Sequence, residues 1–483
     1  MGTRKNVLMI STDHWFAPLM GCAGHPVVMT PTLDQLAADG IRFTSCMSTC
    51  PVCIPARRSL MTGMSPESHG DRVYSDRMPM PDATTLAQAF RDAAYQTYAV
   101  GKLHVYPQRD RIGFDDVVLM EEGRYEFGVV DDYQTWLGEQ GYAGQEFMHA
   151  MGNNSYLTRP WHLPEHAHPT NWATQQMMRQ IKRKDPTRPA FYYISYQFPH
   201  PPLVPLETFL DFYDPDEIDM PENLDDWQDD STIIRLLQEQ AQPYSLKEIR
   251  RAKRAFYALC THIDYEIRSL IGTLRESSLL KDTIIVFLSD HGDTLFDHGI
   301  VGKRTFYQGS CNVPLLISGE PVATWRGMVT DKLACLEDVM PTLLSLCGIE
   351  CPETVEGVDL LSQSREMLYG EIGEGRKATR MATDGCFKLI YYPCGNVFQL
   401  FDLKTDPKEN YNLFGKEEYS GIQKKLMAYM INHLHGGDLT WLKDGELCGV
   451  DAGEFQEAPD YELYNQRGLH WPAPVGYANA GRT

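Results

Sequence analysis

The 483 residues predict an α/β fold: a large, mostly parallel sheet flanked by helices, followed by a smaller C-terminal α+β subdomain with a short antiparallel sheet. Three observations carry this. Strand-like and helix-like segments alternate for most of the length, as in sheets covered by helices on both faces. Polar residues capable of chemistry recur just after the strands, where ligands bind in such sheets: Asp13, Lys102 with His104, His200, and Asp290 with His291. From about residue 375 the texture changes to short hairpin-like strands. The domains are therefore drawn as 1–374, which holds all of those polar residues, and 375–483, with antiparallel strands, one helix and an irregular tail.

In chain order, residues 7–11 form an apolar strand. Thr30-Pro31 opens a helix over 33–38, which Gly40 closes, and 41–43 returns as a strand. The stretch from Cys53 to Thr62 reads as a helix: Pro55 suits the first turn, where its missing N–H is no loss, and Gly63 supplies an end. Cys53 then stands at a helix N-terminus close to Arg57, where negative charge is favoured. That placement suits an oxyanion site and suits equally a buried thiol, since free cysteine is among the most buried residue types. Residues 85–94 form a helix with Leu86 and Phe90 on one face, and 97–100 a strand ahead of Gly101. A strand over 190–196, a long helix over 246–275 and a buried strand over 283–289 follow. Beyond 375, strands over 388–392 and 397–401 flank the Gly395-Asn396 turn, and 422–434 is a helix. The last part of the chain, with Trp441, Trp471, Pro472 and Pro474, shows little periodicity. It reads as a tail wrapped on the body or on a neighbouring subunit of a homo-oligomer. A weakly periodic insertion spans roughly 110–170; its Tyr125 and Trp136 either shape a pocket or are ordinary core.

Composition narrows the function classes. Hydrophobic content of 43% and charged content of 23% describe an ordinary globular chain. The net charge of −21, from 44 basic and 65 acidic residues, argues against a nucleic-acid partner. It also means that any anion site must be made locally positive by Lys, Arg, His or a metal. No stretch approaches the ~18 apolar residues of a membrane span. The apolar run after Arg4-Lys5 ends early, at Asp13, so it reads as a strand and not as the core of a signal peptide; a cytoplasmic location, or a form from which a signal was removed, is expected. Twelve cysteines scattered through a long chain do not suggest a disulfide scaffold. Cys46, Cys50 and Cys53 lack the second Cys/His pair of a structural zinc site, and nothing requires Cys347 and Cys351 to pair.

Cys53-x-Pro55-x-Arg57 followed by Thr62-Gly63 resembles the signature of type I sulfatases, of alkaline-phosphatase-like fold, in which the cysteine is oxidised to formylglycine and its aldehyde hydrate is the nucleophile. Other blocks occur in the family's order: Asp13 at the first strand end, Thr30-Pro31-Thr32-Leu33, Gly101-Lys102-Leu103-His104, Phe198-Pro199-His200-Pro201-Pro202, Ser289-Asp290-His291-Gly292-Asp293 with Lys303 beyond it, and Asp402-Leu403, Asp406-Pro407 and Asn412-Leu413. The resemblance implies a divalent metal held by Asp13, Asp290, His291 and an oxygen of the converted Cys53. Oxygen-rich ligation favours Ca2+ or Mg2+, with Ca2+ preferred here, and one imidazole keeps Mn2+ and Zn2+ open. The chain departs from the commonest pattern, Asp-Asp, at Asp13-His14; His14 either joins the ligands or turns away to a contact outside the set, and the second reading is the one taken.

The resemblance also implies roles. Arg57, Lys102, Lys303 and the metal offset the sulfate charge as the S–O bond breaks. Asp290 is the base for the attacking hydroxyl, His200 or Lys303 protonates the leaving alcohol, and His104 removes the proton of the second hydroxyl to expel sulfate. Lys102, His200 and Lys303 bind substrate. A small sulfated carbohydrate, such as a glycosaminoglycan-derived mono- or disaccharide, is the expected substrate, and a formylglycine-generating maturation enzyme the expected partner. Two rival readings are a phosphonate monoester or phosphodiester hydrolase of the same superfamily, and a non-catalytic protein that binds a sulfated glycan.

Overall fold

The computed structural model describes residues 5–123, 130–222, 224 and 244–451. The large sheet has nine strands: β1 (Asn6–Asp13), β2 (Gly40–Met47), β3 (Gln96–Gly101), β4 (Asp116–Leu119), β5 (Ala190–Pro199), β6 (Thr283–Ser289), β7 (Asn312–Ser318), β8 (Met328–Thr330) and β9 (Ala334–Cys335). They lie in the order β4-β3-β5-β1-β6-β7-β2-β8, with β9 also pairing with β2. β7 runs antiparallel to both neighbours and every other pairing is parallel. All eight residues of β1 are buried, as a central strand covered on both faces requires.

Alternation along β1, β5 and β6 separates two cores. Leu8, Ile10, Tyr192, Ile194 and Phe287 face the helices Pro169–Lys182 and Leu246–Glu276. Val7, Met9, Phe191, Tyr193 and Val286 face α2 (Cys53–Thr62) and the helices Leu86–Asp92 and Val339–Leu346. The first helix, α1 (Pro31–Ala38), is held by Asp264, whose carboxylate accepts the N–H groups of Thr32 and Leu33 at 3.0 and 2.8 Å, two of the unpaired donors every helix start presents. Asp39 closes that helix. Gly40 does not: it opens β2, where a Cβ would lie 2.2 Å from the Ile317 carbonyl oxygen. Among the described residues no helix is long and apolar enough to cross a membrane. All twelve cysteines are unpaired thiols, Cys347 and Cys351 included.

The small antiparallel sheet is β10 (Leu368–Ile372), β11 (Thr379–Thr383), β12 (Phe387–Tyr392) and β13 (Val397–Asp402) in sequential order, so its first strand lies ahead of residue 375. One face, with Leu389, Tyr391 and Leu400, packs on the helix Ser420–Asn432 and on Trp441, which is buried. The other face, with Met381, Ile390 and Phe401, packs on Cys50, Val52, Phe306 and Tyr307 of the large unit. The small sheet therefore supports the chain immediately before Cys53 and just after Lys303. Residues 452–483, with Trp471, Pro472 and Pro474, lie outside the described residues, as does Tyr125.

A buried ion network ties the small sheet to the body. Asp438 accepts hydrogen bonds from Arg380 at 2.8 and 2.8 Å and from Arg72 at 2.9 and 3.2 Å, and Arg72 also reaches Glu371 at 2.7 Å. Removing one partner of such a group leaves the others charged and dry, so Asp438→Ala should cost about 3–5 kcal/mol. Urea unfolding measures this; a loss under about 1 kcal/mol would mean water reaches the two arginines.

Candidate active site

The site forms where α2 begins against the carboxyl ends of β1, β3, β5 and β6. All ten residues of α2 are buried. Extended Val52 precedes it, Pro55 occupies its first turn, and Gly63, at φ +66°, donates its N–H to the Ser59 carbonyl and ends it. The Cys53 sulfur, at this helix start, lies 3.0 Å from Lys303 Nζ, 3.2 Å from His291 Nε2 and 3.8 Å from Asp13 Oδ1. Burial and Asp13 push the thiol up, but Lys303, Lys102 and His291 outweigh them and leave it at about 7. A thiol so placed is prepared to carry negative charge.

Arg57, one turn on, points inward. Its Nε donates to Asp290 at 2.8 Å, Nη1 to the Lys102 carbonyl at 2.8 Å and to Ser195 Oγ at 2.7 Å, and Nη2 reaches Asp13 at 3.5 Å. Lys102 follows Gly101, whose φ of +100° brings it so near β5 that a Cβ would lie 2.0 Å from the Ser195 carbonyl. Lys102 Nζ bonds Asp13 at 2.5 Å and Glu122 at 2.6 Å. Burial works against the Lys102 charge, yet Asp13 and Glu122 hold it firmly protonated.

Asp13, Cys53, Asp290 and His291 each offer a ligand atom, all within 4.8 Å of one another and all buried. His291 Nδ1 lies 2.9 Å from the Gly292 carbonyl, which places the proton there and turns the Nε2 lone pair toward Asp13 (3.4 Å) and Asp290 (3.7 Å). Two carboxylates, one imidazole with a fixed tautomer and the atom borne by residue 53 fit a divalent cation. His14 differs. Its Nδ1 lies 2.6 Å from Asp293 Oδ2 and its Nε2 2.8 Å from Lys303 Nζ.

The remaining expected residues stand beyond Lys102. His200 Nδ1 lies 2.5 Å from the Pro201 carbonyl, and its buried Nε2 has no hydrogen-bond partner among the described residues. Burial and then Lys303 hold His200 far below the ordinary imidazole value, hence neutral. His104 Nε2 lies 3.7 Å from both Glu121 and Glu122.

Sequence reasoning passed over Glu121, Glu122 and Tyr156 and gave no role to Asp293 at the end of the Ser289–Asp293 block; these four complete the site. Glu121 accepts the N–H groups of Leu103 and His104 at 2.8 and 3.1 Å, while burial raises its carboxyl to about 7. The Glu121-Glu122 pair follows β4, so the rule that found Asp13 and Asp290 at strand ends would have found it had that four-residue edge strand been read. The 110–170 insertion thus does reach the site, through Glu122 and Tyr156. Trp136 instead stacks near Tyr133 and Trp172 in the core.

Residues 5–349 match the family model described as Sulfatase, and 296–435 match one described as N-sulphoglucosamine sulphohydrolase, C-terminal. The chain belongs to the sulfatase family. This sulfatase is 34% identical to an arylsulfatase of Clostridium perfringens over 90% of its own length and 95% of that protein's. It is 30% identical to a choline-sulfatase of Rhizobium meliloti over 88% and 85%. A phosphonate monoester hydrolase of Agrobacterium radiobacter has the same fold, with a TM-score of 0.75, 21% identity and coverage of 91% and 97%. Like its relatives, this sulfatase is a sulfuric ester hydrolase.

If the four-residue set holds the cation, His291→Ala should weaken binding of Ca2+ or Mn2+ to the metal-stripped sulfatase at least about tenfold. Titration calorimetry reads this directly, and unchanged affinity would remove His291 from the set.

Proposed function

We propose that this sulfatase hydrolyses the sulfate monoester of a small carbohydrate, with residue 53 acting as formylglycine and Ca2+ held by Asp13, Asp290, His291 and residue 53. The observation that carries the reading is the Cys53 sulfur standing between Lys303, His291 and Asp13 at a buried helix start. Bound there, the cation would withdraw charge from sulfate oxygens, and the aldehyde hydrate would supply the attacking hydroxyl.

The protein's own groups do the rest. Asp290 accepts the proton of that hydroxyl; its oxygens already accept from Arg57 and from the His291 N–H, and a carboxylate has lone pairs to spare. Lys102 keeps positive charge where sulfate oxygens would lie. His200, with its proton on Nδ1 toward Pro201, presents a lone pair at Nε2, so it accepts a hydrogen bond from substrate. Proton donation to the leaving oxygen then falls to Lys303. His104, beside Glu121 and Glu122, is the base that frees sulfate.

A carbohydrate substrate is favoured by the match of 296–435 to the C-terminal model named for N-sulphoglucosamine sulphohydrolase. The choline-sulfatase relative supports a small alkyl sulfate as a second reading. Glu122, an acid among the cations, is compatible with either.

Purified protein should turn over an aryl sulfate faster than an aryl phosphonate, and faster phosphonate cleavage would reverse the assignment. Sulfate release from a panel of sulfated mono- and disaccharides and choline sulfate ranks the substrates. Cys53→Ala should lower turnover at least about a thousandfold, the scale of losing a covalent nucleophile. A peptide mass for residue 53 from the native host should show the aldehyde, and an unmodified thiol in active protein would refute it.

A further inference from the structure

His14 neighbours Asp13, with its Nε2 3.7 Å from Asp13 Oδ1, yet its two hydrogen bonds go to Asp293 and Lys303, neither of them in the cation set. Asp293 is fully buried, and its Oδ2 faces His14 Nδ1 at 2.6 Å, so the proton sits on Nδ1. His14 Nε2 therefore carries the lone pair, and Lys303 Nζ donates to it at 2.8 Å while also donating to the Cys53 sulfur at 3.0 Å. Tyr156 donates its hydroxyl to the same Asp293 oxygen. The other carboxylate oxygen of Asp293 accepts the N–H groups of Leu295 and Gly302 at 2.8 and 2.9 Å. One carboxylate thus pins both ends of the 293–302 loop, sets the tautomer of His14 and determines where the next residue, Lys303, begins. His14 itself sits at φ +74°, a region uncommon for a residue with a side chain and frequent at functional sites.

We infer that Asp293 and His14 are positioning residues for Lys303, holding its ammonium over residue 53, and that His14 is not a cation ligand. A lysine stem is flexible, and a proton donor works only when its N–H points at the departing oxygen. His14 supplies the fixed acceptor that aims it, much as a buried carboxylate fixes a histidine that in turn fixes a nucleophile. Ligation by His14 would require breaking one of its two bonds, and His200, the third member of the alternative grouping with Asp13 and His14, is turned by its Pro201 bond. When the ester S–O bond breaks, its electron pair goes to the leaving oxygen, which takes the proton from Lys303 as the new S–O bond forms. The inference rests on the sulfatase reading for the identity of that oxygen.

The test compares His14→Ala, Asp293→Asn, Lys303→Ala and the His14→Ala/Lys303→Ala double variant on aryl sulfates of graded leaving-group acidity, alongside calorimetric titration of each metal-stripped protein with Ca2+ and with Mn2+. Positioning predicts cation affinity within about fivefold of the parent. It predicts losses of about a hundredfold on the poorest leaving groups, much smaller losses on the best, and a double variant no slower than Lys303→Ala alone. His14→Gln, whose amide oxygen can accept from Lys303, should recover part of the loss. A larger fall in cation affinity in His14→Ala, an equal loss on all leaving groups, or multiplying losses in the double variant would overturn the inference. Should the parent protein release no sulfate from any ester, the sulfatase reading fails, while the cation titration of His14→Ala still decides whether His14 is a ligand.

Discussion

The arrangement depends on one buried guanidinium. Arg57 bonds the carboxylates at the ends of β1 and β6, the carbonyl after β3 and the hydroxyl of Ser195 in β5. Without a fixed counter-charge, Asp13 and Asp290 would repel each other in a dry interior, and each would be expensive to keep ionised. Arg57 and Lys102 supply that charge from opposite sides. The strand ends and the start of α2 are consequently locked to one another before any ligand arrives, which is the preorganisation that electrostatic catalysis requires. Arg57 thus contributes mainly as a clamp, with its N–H groups directed at protein acceptors.

Most of this could be read from the chain because its logic is local. Strand ends announce themselves by apolar runs that stop at a polar residue, and Asp13, Lys102, His200 and Asp290 were found that way. The helix at Cys53 was legible from Pro55 and Gly63. The antiparallel course of β7 was not, since a buried strand looks the same in either direction. Gly40 was misread because a glycine that allows two backbones to touch leaves the same letter as one that caps a helix. Asp293 and Tyr156 were hidden for another reason. Their roles arise from contacts across 279 and 137 positions, and no periodicity encodes a contact of that span.

The site divides into two unequal parts. One is built from strand ends and the helix start, buried and cross-linked by ions: Asp13, Cys53, Arg57, Lys102, Asp290 and His291. The other is held by loops: Lys303 after the 293–302 loop, Glu121 and Glu122 after the edge strand, and Tyr156 from the insertion. Under the proposed function, the first part meets the anionic ester head. The small sheet braces both, since its inner face packs on Val52 beside Cys53 and on Phe306 beside Lys303.

That division bears on how such a molecule changes over generations. Under the proposed function, substitutions in the loop-borne part would alter which leaving group is served, whereas substitutions among the ion-locked strand ends would cost the chemistry itself. The pairing of His14 with Asp293 lies at the border: the residue after the first carboxylate is bonded to the loop that presents Lys303, so a change at either position is felt at the other.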